Sequence, residues 1–373
     1  MSDSTAHRKP RILVLSAYDA GSHRRWREQL ITGLESFEWH SLVLPPRYFR
    51  WRIRGNALSW LNEPLLQQHW DLLVATSMVD LASLRGFHAH LASTPAILYM
   101  HENQFAYPES QGQHASVDPQ VVNLFSAIAA TTVLFNSDWN RRSFLAGVQG
   151  LFRKLPDEIP AGVYEQLASK SSVVPVPVED RLFMTERRAL NSACPHLLWN
   201  HRWEYDKGPD RLLMLLDELA AHGQDFRLSV VGEQFRQQPD EFKAILERHR
   251  HRVVHWGFLP DRGEYDRLLQ DADVVLSTAV HDFQGLSMLE AMASGCLALA
   301  PGRLAYPEYV PQGQLYPSAP DRPDEESRGA ARCLRTLLGS GSAAAVPEKW
   351  RMSRLLTTYE KAINTTLEKH RVS

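Results

Sequence analysis

The sequence predicts two α/β units in tandem, each built on a parallel sheet, and three observations carry that prediction. The chain has 373 residues, more than one typical domain, so two domains sharing a cleft are the starting expectation. Short apolar runs alternate with helix-length segments at residues 12–15, 42–44, 72–75, 96–99 and 133–135, the pattern of strands buried on both faces. After a proline-punctuated stretch around residues 173–178 the rhythm restarts at 197–199, 228–231, 253–256, 274–276 and 297–300, as a second sheet requires.

Each part of that outline follows from composition and spacing. Hydrophobic residues make up 44% and charged residues 23%, ordinary globular proportions that leave little room for a long disordered tail. A formal charge of −2 argues against non-specific nucleic-acid binding as a way of life, while permitting a local basic patch. Cys194, Cys296 and Cys333 are far apart and odd in number, so neither a disulfide framework nor a zinc site is expected. No apolar run approaches the roughly 20 residues that span a bilayer, and the residues before Pro10 are short, polar and basic. We therefore expect a soluble, cytoplasmic protein with no membrane contact; no feature specifies an oligomeric state. The domain boundary is expected between residues 179 and 192, where the charged Glu186, Arg187 and Arg188 interrupt the strand pattern. That gives a first domain at 10–185 and a second at 191–345. Beyond Tyr306 the chain is rich in Pro, Gly and Ser, then ends in a helix at about 347–370 within a segment 346–373. No strand follows this helix, so it must dock on a surface already built.

The strongest chemical signal is His281-Asp282-Phe283-Gln284-Gly285-Leu286-Ser287-Met288-Leu289-Glu290, directly after the strand at 274–276. A strand, a glycine turn and a helix leave backbone amides at a helix N-terminus, where the dipole favours phosphate. Glu290, further into the helix, could accept hydrogen bonds from ribose hydroxyls; alternatively Asp282 and Glu290 are capping and surface acids. A second signal, His201-Arg202-Trp203-Glu204-Tyr205-Asp206-Lys207-Gly208, follows the strand at 197–199. Arg202 and Lys207 at the carboxyl edge of a parallel sheet suit a diphosphate whose charge rises as its sugar departs. Taken singly they read as solvated cations.

The first half offers Ala20-Gly21-Ser22-His23 after the first strand and His101-Glu102-Asn103-Gln104 after the strand at 96–99, again where open α/β sheets bind ligands. Gly21 and Ser22 could let backbone approach a donor phosphate, and His101 could line a sugar or acceptor site, or be structural. Asn136-Ser137 has the same placement. Residues 45–54 bring Arg47, Arg50, Arg52 and Arg54 together with Tyr48, Phe49 and Trp51. Such a stretch could contact a phosphate backbone and stack on unpaired bases, or form a protein interface or a partly buried loop. His249-Arg250-His251-Arg252 reads as a solvated helix end.

These pieces together make the second half resemble the retaining GT-B glycosyltransferases, through the Arg-x4-Lys-Gly loop and an E-x7-E motif that here reads Asp282-x7-Glu290. The family's first glutamate is an aspartate here, and the first glycine of Gly-Phe-Gly-Leu is lost in Phe283-Gln284-Gly285-Leu286. A narrower set runs along nearly the whole chain: Ala20-Gly21-Ser22-His23, Phe49-Arg50-Trp51-Arg52, His101-Glu102-Asn103-Gln104 with Tyr107-Pro108, Phe135-Asn136-Ser137, the 201–207 loop, and His255-Trp256-Gly257-Phe258-Leu259-Pro260. It is similar to the tRNA-queuosine α-mannosyltransferases. That resemblance implies two Rossmann-like domains with the donor in the cleft and the last helix crossing back to the first domain. It implies transfer of mannose from GDP-mannose to the cyclopentenediol of queuosine in the anticodon loop of tRNA-Asp. Arg202 and Lys207 would hold the diphosphate, Glu290 the ribose, and the Gly285 and Leu286 amides the distal phosphate. Asp282 and His101 would attend the reaction, while Asn103, Gln104 and the arginine stretch would face the acceptor. No dedicated nucleophile and no metal are required.

Two rival readings use the same scaffold. In one, the enzyme takes another sugar nucleotide and a different modified nucleoside, glycan or lipid. In the other, suggested by Asp282 and Gln284, the chain is a non-catalytic nucleotide- or RNA-binding protein.

Overall fold

The computed structural model describes residues 8–107, 116–154, 157–184, 190–341 and 343–372. Pro108 of the Tyr107-Pro108 pair, the Glu186-Arg187-Arg188 stretch and most of the N-terminal polar segment lie outside the described residues. The chain divides into two compact units, Met1–Pro177 with Arg354–Ser373, and Val178–Ser353.

In the first unit the strands Arg11–Ser16 (β1), Glu38–Val43 (β2), Leu72–Thr76 (β3), Ala96–Met100 (β4), Thr132–Phe135 (β5) and Ser171–Val173 (β6) form one parallel sheet. Its order is β2-β1-β3-β4-β5-β6. The apolar runs of β1, β3, β4 and β5 are buried almost throughout, as helices on both faces of a parallel sheet demand. β2 begins four residues before its apolar run because it is an edge strand: Glu38, Trp39 and His40 pair with β1 on one side while their side chains keep solvent contact.

The second unit repeats the plan with His196–Trp199 (β7), Arg227–Val231 (β8), Val253–Gly257 (β9), Val274–Leu276 (β10), Leu297–Pro301 (β11) and Leu315–Tyr316 (β12) in the order β12-β11-β10-β7-β8-β9. β12, two residues long, is too short to show a period. The helix Pro323–Gly339 occupies part of the stretch expected to be irregular. Its signals are nonetheless in the sequence: Pro323 at the start, Asp324, Glu325 and Glu326 in the first turn, and a buried stripe of Ala330, Leu334 and Leu338.

The unit boundary lies earlier than the sequence spacing predicts. Residues 178–184, expected in the first domain, belong to the second unit, because Val178 donates its amide to Trp350 O at 2.8 Å, accepts from Met352 N at 2.8 Å, and packs with Leu182 in the second unit's core. The final helix, Met352–Val372, starts five residues later than expected, after a 3-10 turn at Glu348–Trp350. From Arg354 onward it belongs to the first unit. Tyr359 is the anchor: its hydroxyl accepts from Trp26 Nε1 at 2.9 Å and lies 2.9 Å from the Tyr99 hydroxyl. Thr366 reaches Thr132 at 3.0 Å. Among the described residues no helix is long and apolar enough to cross a membrane.

Candidate functional site

In the second sheet, chain progression reverses between β7 and β10, and the loops leaving a parallel sheet at such a switch point diverge to leave a crevice. The loop after β7 carries Asn200, Arg202 and Lys207; the loop after β10 carries His281, Asp282 and Gly285. Gly285 has φ 75°, and a Cβ there would lie 2.2 Å from the Tyr309 hydroxyl, so conformation and space both require glycine. Asp282 Oδ1 accepts the Gly285 amide at 2.8 Å and the Gln284 amide at 3.3 Å, holding the turn that starts the helix Leu286–Ala293. No side chain caps that helix, which leaves its first amides suited to an anion.

The Lys207 ammonium is nearly buried. It donates to His281 O at 2.7 Å and lies 3.3 Å from Asp206 Oδ2 and 3.6 Å from Asp282 Oδ2. Burial works against ionisation of Asp282, but Lys207, His201 and the Gly285 amide prevail and bring it down to about 2. Burial lowers His201 and His281 to about 4, so both imidazoles are neutral at pH 7. Asp282, expected beside the reacting atoms, thus has its carboxylate committed to the turn and to Lys207. Arg202 is half-exposed and pairs with Glu204 at 2.9 Å; burial raises the Glu204 carboxyl despite that partner.

A cavity of about 350 Å³ opens beside these loops, lined among others by Asn200, Arg202, Gly232, Phe258, Arg262 and Glu290, within the size range of small-molecule sites. Gly232 is needed here by contact, since a Cβ would stand 1.9 Å from His201 O. Buried Glu290 accepts from Arg262 Nη2 at 2.8 Å on one oxygen and faces the Tyr265 hydroxyl at 3.3 Å on the other. Phe258 is 60% exposed at the cavity wall. Among the described residues no group of three or more His, Cys, Asp or Glu side chains is gathered as metal ligands.

The first sheet reverses between β1 and β3. Two loops and a helix start meet at one carboxylate at its carboxyl edge: Ser77, after β3, donates to Glu102 Oε1 at 2.6 Å, and His23, in the first turn of the helix Gly21–Gly33 after β1, lies with Nε2 3.1 Å from Glu102 Oε2. An ionised carboxylate only accepts, so Nε2 of His23 carries the hydrogen. The His23 ring stacks on His101 with centroids 4.1 Å apart, and His101 also meets Trp26 and Tyr99 edge-on. Burial, reinforced by His23, holds His101 well below the usual histidine range. Its Nε2 has no hydrogen-bond partner among the described residues.

The neighbouring candidates divide. Gly21 and Ser22 open the helix Gly21–Gly33, which has no side-chain cap and no acid in its first turn; nothing lies within 4 Å of a Cβ at Gly21. Asn103, expected toward the acceptor, is fully buried, donating to Asn140 and Ser143 and accepting from the amides of Phe105 and Ala106. It shapes its loop. Gln104 is buried and gives its amide to Asn123, and Asn136 holds the His101 carbonyl at 2.8 Å. The arginine stretch forms the helix Phe49–Ser59 with Tyr48 before it. Arg47 and Arg50 are exposed, Arg54 pairs with Asp80 at 2.9 Å, and Arg52 turns inward and is buried. Arg248 and His249, at the second basic cluster, both pair with Asp217.

Comparison with known proteins decides the kinship. Residues 11–178 match the family profile described as tRNA-queuosine alpha-mannosyltransferase N-terminal, and residues 184–325 match glycosyl transferases group 1. A Drosophila melanogaster tRNA-queuosine alpha-mannosyltransferase is 35% identical over 316 residues, covering 83% of this chain and 84% of that one. The chain belongs to the tRNA-queuosine α-mannosyltransferase family. A Mycobacterium tuberculosis GDP-mannose-dependent alpha-(1-6)-phosphatidylinositol dimannoside mannosyltransferase is 31% identical over 152 residues, covering 38% of each chain. Among solved structures, an Anabaena protein in complex with UDP and glucose superposes with a TM-score of 0.65 at 16% identity, covering 95% of this chain and all of that one; the fold is GT-B.

Within this tRNA-queuosine α-mannosyltransferase family member, sequence reasoning overlooked Glu102 and His23 as a pair, and Asn200, Arg262 and Tyr265 around Glu290. Phe258 belongs to the His255-Trp256-Gly257-Phe258-Leu259-Pro260 stretch. The available signal was position: Asn200 directly follows β7, and Phe258 directly follows β9.

Proposed function

We propose that this chain is a retaining glycosyltransferase that moves mannose from GDP-mannose to a hydroxyl of the queuosine cyclopentenediol in the anticodon loop of tRNA-Asp, in the cytoplasm. The observation that carries the reading is 35% identity along 83% of the chain with the Drosophila tRNA-queuosine alpha-mannosyltransferase. The relative named GDP-mannose-dependent favours a guanosine donor.

In this reading the nucleotide occupies the cavity of the second unit, with its ribose on Glu290. The diphosphate takes Arg202, Lys207 and the amides at the start of the helix Leu286–Ala293, the Gly285 amide being held by Asp282. Each nearby cation already has an acid partner: Arg202 with Glu204, Lys207 with Asp206 and Asp282, Arg262 with Glu290. The diphosphate therefore competes for cations that are held in place beforehand, and their charge acts most strongly when the bond from mannose C1 to the phosphate oxygen breaks. The acceptor oxygen bonds to C1 on the same face, and its proton passes to the departing phosphate oxygen. Lys207 and Arg202 supply the countercharge, so we propose that no metal is required.

Incubation with GDP-mannose and queuosine-containing tRNA, followed by digestion and mass spectrometry, is expected to find one hexose added to queuosine. No hexose addition would refute the acceptor assignment. GDP raising the melting temperature more than UDP, and turnover persisting in EDTA, are the expected donor and metal results; the opposite outcomes would overturn those parts.

A further inference from the structure

The helix Phe49–Ser59 presents an aromatic surface that the donor chemistry does not use. Tyr48 is 72% exposed and Trp51 53% exposed, although burial of such rings is the usual outcome. Trp51 is held in a defined pose. A Cβ added at Gly55 would lie 2.3 to 2.7 Å from three atoms of the Trp51 ring system, and these are its nearest neighbours. The indole therefore rests directly against the helix at Gly55, with the glycine making room for it, while half its surface meets solvent. Tyr48 stands beside it at the helix start with φ 54°, its ring covered on one side by the Arg47 guanidinium at 5.6 Å.

The setting is cationic and connected to the sheet edge. No acidic residue occurs between Glu38 and Glu63, and Arg47, Arg50 and Arg54 are exposed on this segment. Phe49 packs edge-on against Tyr18, from the loop after β1, at 6.0 Å, and stacks with Tyr107, from the loop after β4, at 6.4 Å. The aromatic surface is thus continuous with the segments after β1 and β4 that bear His23 and Glu102. Flat rings beside Arg47 and Arg50 suit unpaired nucleotides, whose bases stack and whose phosphates take arginine; a segment with no acid of its own favours a polyanion over a protein partner.

We propose that Trp51, held flat by Gly55, and Tyr48 are stacking platforms for unpaired bases flanking the modified nucleoside, with Arg47 and Arg50 on the adjoining phosphates. This rests on the acceptor being a tRNA. Gly55→Ala is the distinguishing variant: alanine favours helix more than glycine does, yet its methyl would lift the indole. Binding of queuosine-containing tRNA by the full chain, with GDP binding measured in parallel, should weaken about tenfold in Trp51→Ala and in Gly55→Ala. Trp51→Phe should lose about threefold or less, and GDP affinity should stay constant throughout. In a Trp51→Ala background the Gly55→Ala change should have no further effect, which also separates stacking from misfolding. Wild-type tRNA affinity retained by both Trp51→Ala and Gly55→Ala would overturn the platform while leaving the acceptor reading standing. A wild-type chain that binds GDP but no tRNA would overturn both.

Discussion

The two sheets end in loop clusters that share a topology and differ in electrostatics. Both clusters lie at carboxyl edges where the strand order reverses. In the second unit Arg202, Lys207 and Arg262 are each matched to a carboxylate within 3.6 Å. In the first unit Glu102 takes a hydroxyl and an imidazole against stacked rings, while Asp19 pairs with Arg24 and Arg27, and Asp80 with Arg54, at the same edge. Such a fold supplies the same crevice twice, and the loops decide its ligand: a lysine and arginines beside an uncapped glycine turn suit a diphosphate, whereas a carboxylate beside stacked rings suits a polyhydroxyl.

Replacing Lys207 should separate the clusters most sharply. Lys207→Ala is expected to lower turnover by about 10²–10³-fold, the usual loss when one donor to a developing anion is removed. It should also lower the melting temperature, because Asp206 and Asp282 are left without their buried cation, a loss on the order of 3–5 kcal/mol. Adding Asp282→Asn should recover part of the stability and none of the turnover. Normal turnover in Lys207→Ala would remove the diphosphate from this edge altogether.

Glu290→Gln should come next, weakening GDP binding about tenfold by calorimetry and leaving tRNA binding unchanged. The amide still accepts one hydrogen bond but loses the charge that holds Arg262. An equal loss of tRNA affinity would mean that the second unit's cavity is not a dedicated donor site.

These two tests concern the half that was more legible in the sequence, and the reason is physical. A strand, a glycine turn and a helix in immediate succession leave a local trace, so the turn at Gly285 and the loop bearing Lys207 can be placed from sequence. The buried strands were legible for the same reason, each apolar run being a local consequence of burial on two faces. The Ser77–Glu102–His23 cluster leaves none, since its members come from three segments separated by 25 and 79 residues and only the sheet brings them together. Asn103 misled because an asparagine beside a histidine at a strand end reads the same whether it meets a ligand or ties its own loop. Arg52 misled because composition cannot tell which side of a short helix faces inward. The boundary failed similarly: Val178 joins the second unit through Trp350 and Met352, a pairing no window of sequence contains.

Lowering the pH should separate the two units by stability. Burial holds His196, His201 and His281, all in the second unit, near 4, and His101 in the first unit well below its usual value. Below about 6.5 the unfolded chain takes up a proton on each of these that the folded chain refuses. The stability each confers is complete above that pH and is lost as pH falls toward 4. At pH 5 the loss is on the order of 2 kcal/mol per histidine held near 4, fewer in sum for His201 and His281 because they share Lys207 and Asp282. Asp282 does not contribute in this window, since its unfolded value is near 3.9. Calorimetry from pH 7 to pH 5 should therefore record a larger fall for the second unit's transition; parallel falls would show that the count of buried neutral histidines does not set acid stability here.

The smallest expected effect tests the first unit directly. Glu102 accepts the Ser77 hydroxyl on one oxygen and faces His23 Nε2 with the other. Glu102→Gln offers one oxygen and one NH2, so one donor loses its acceptor unless His23 moves its hydrogen to Nδ1. Either outcome shifts the imidazole that stacks on His101, at about 1 kcal/mol in stability for the altered hydrogen bond. The expected result is a rise of about threefold to tenfold in KM for queuosine-tRNA with GDP affinity unchanged, because no donor-binding side chain is touched. If GDP affinity falls with KM unchanged, the carboxylate serves the donor, and the division of labour between the two sheet edges is wrong at its weakest point.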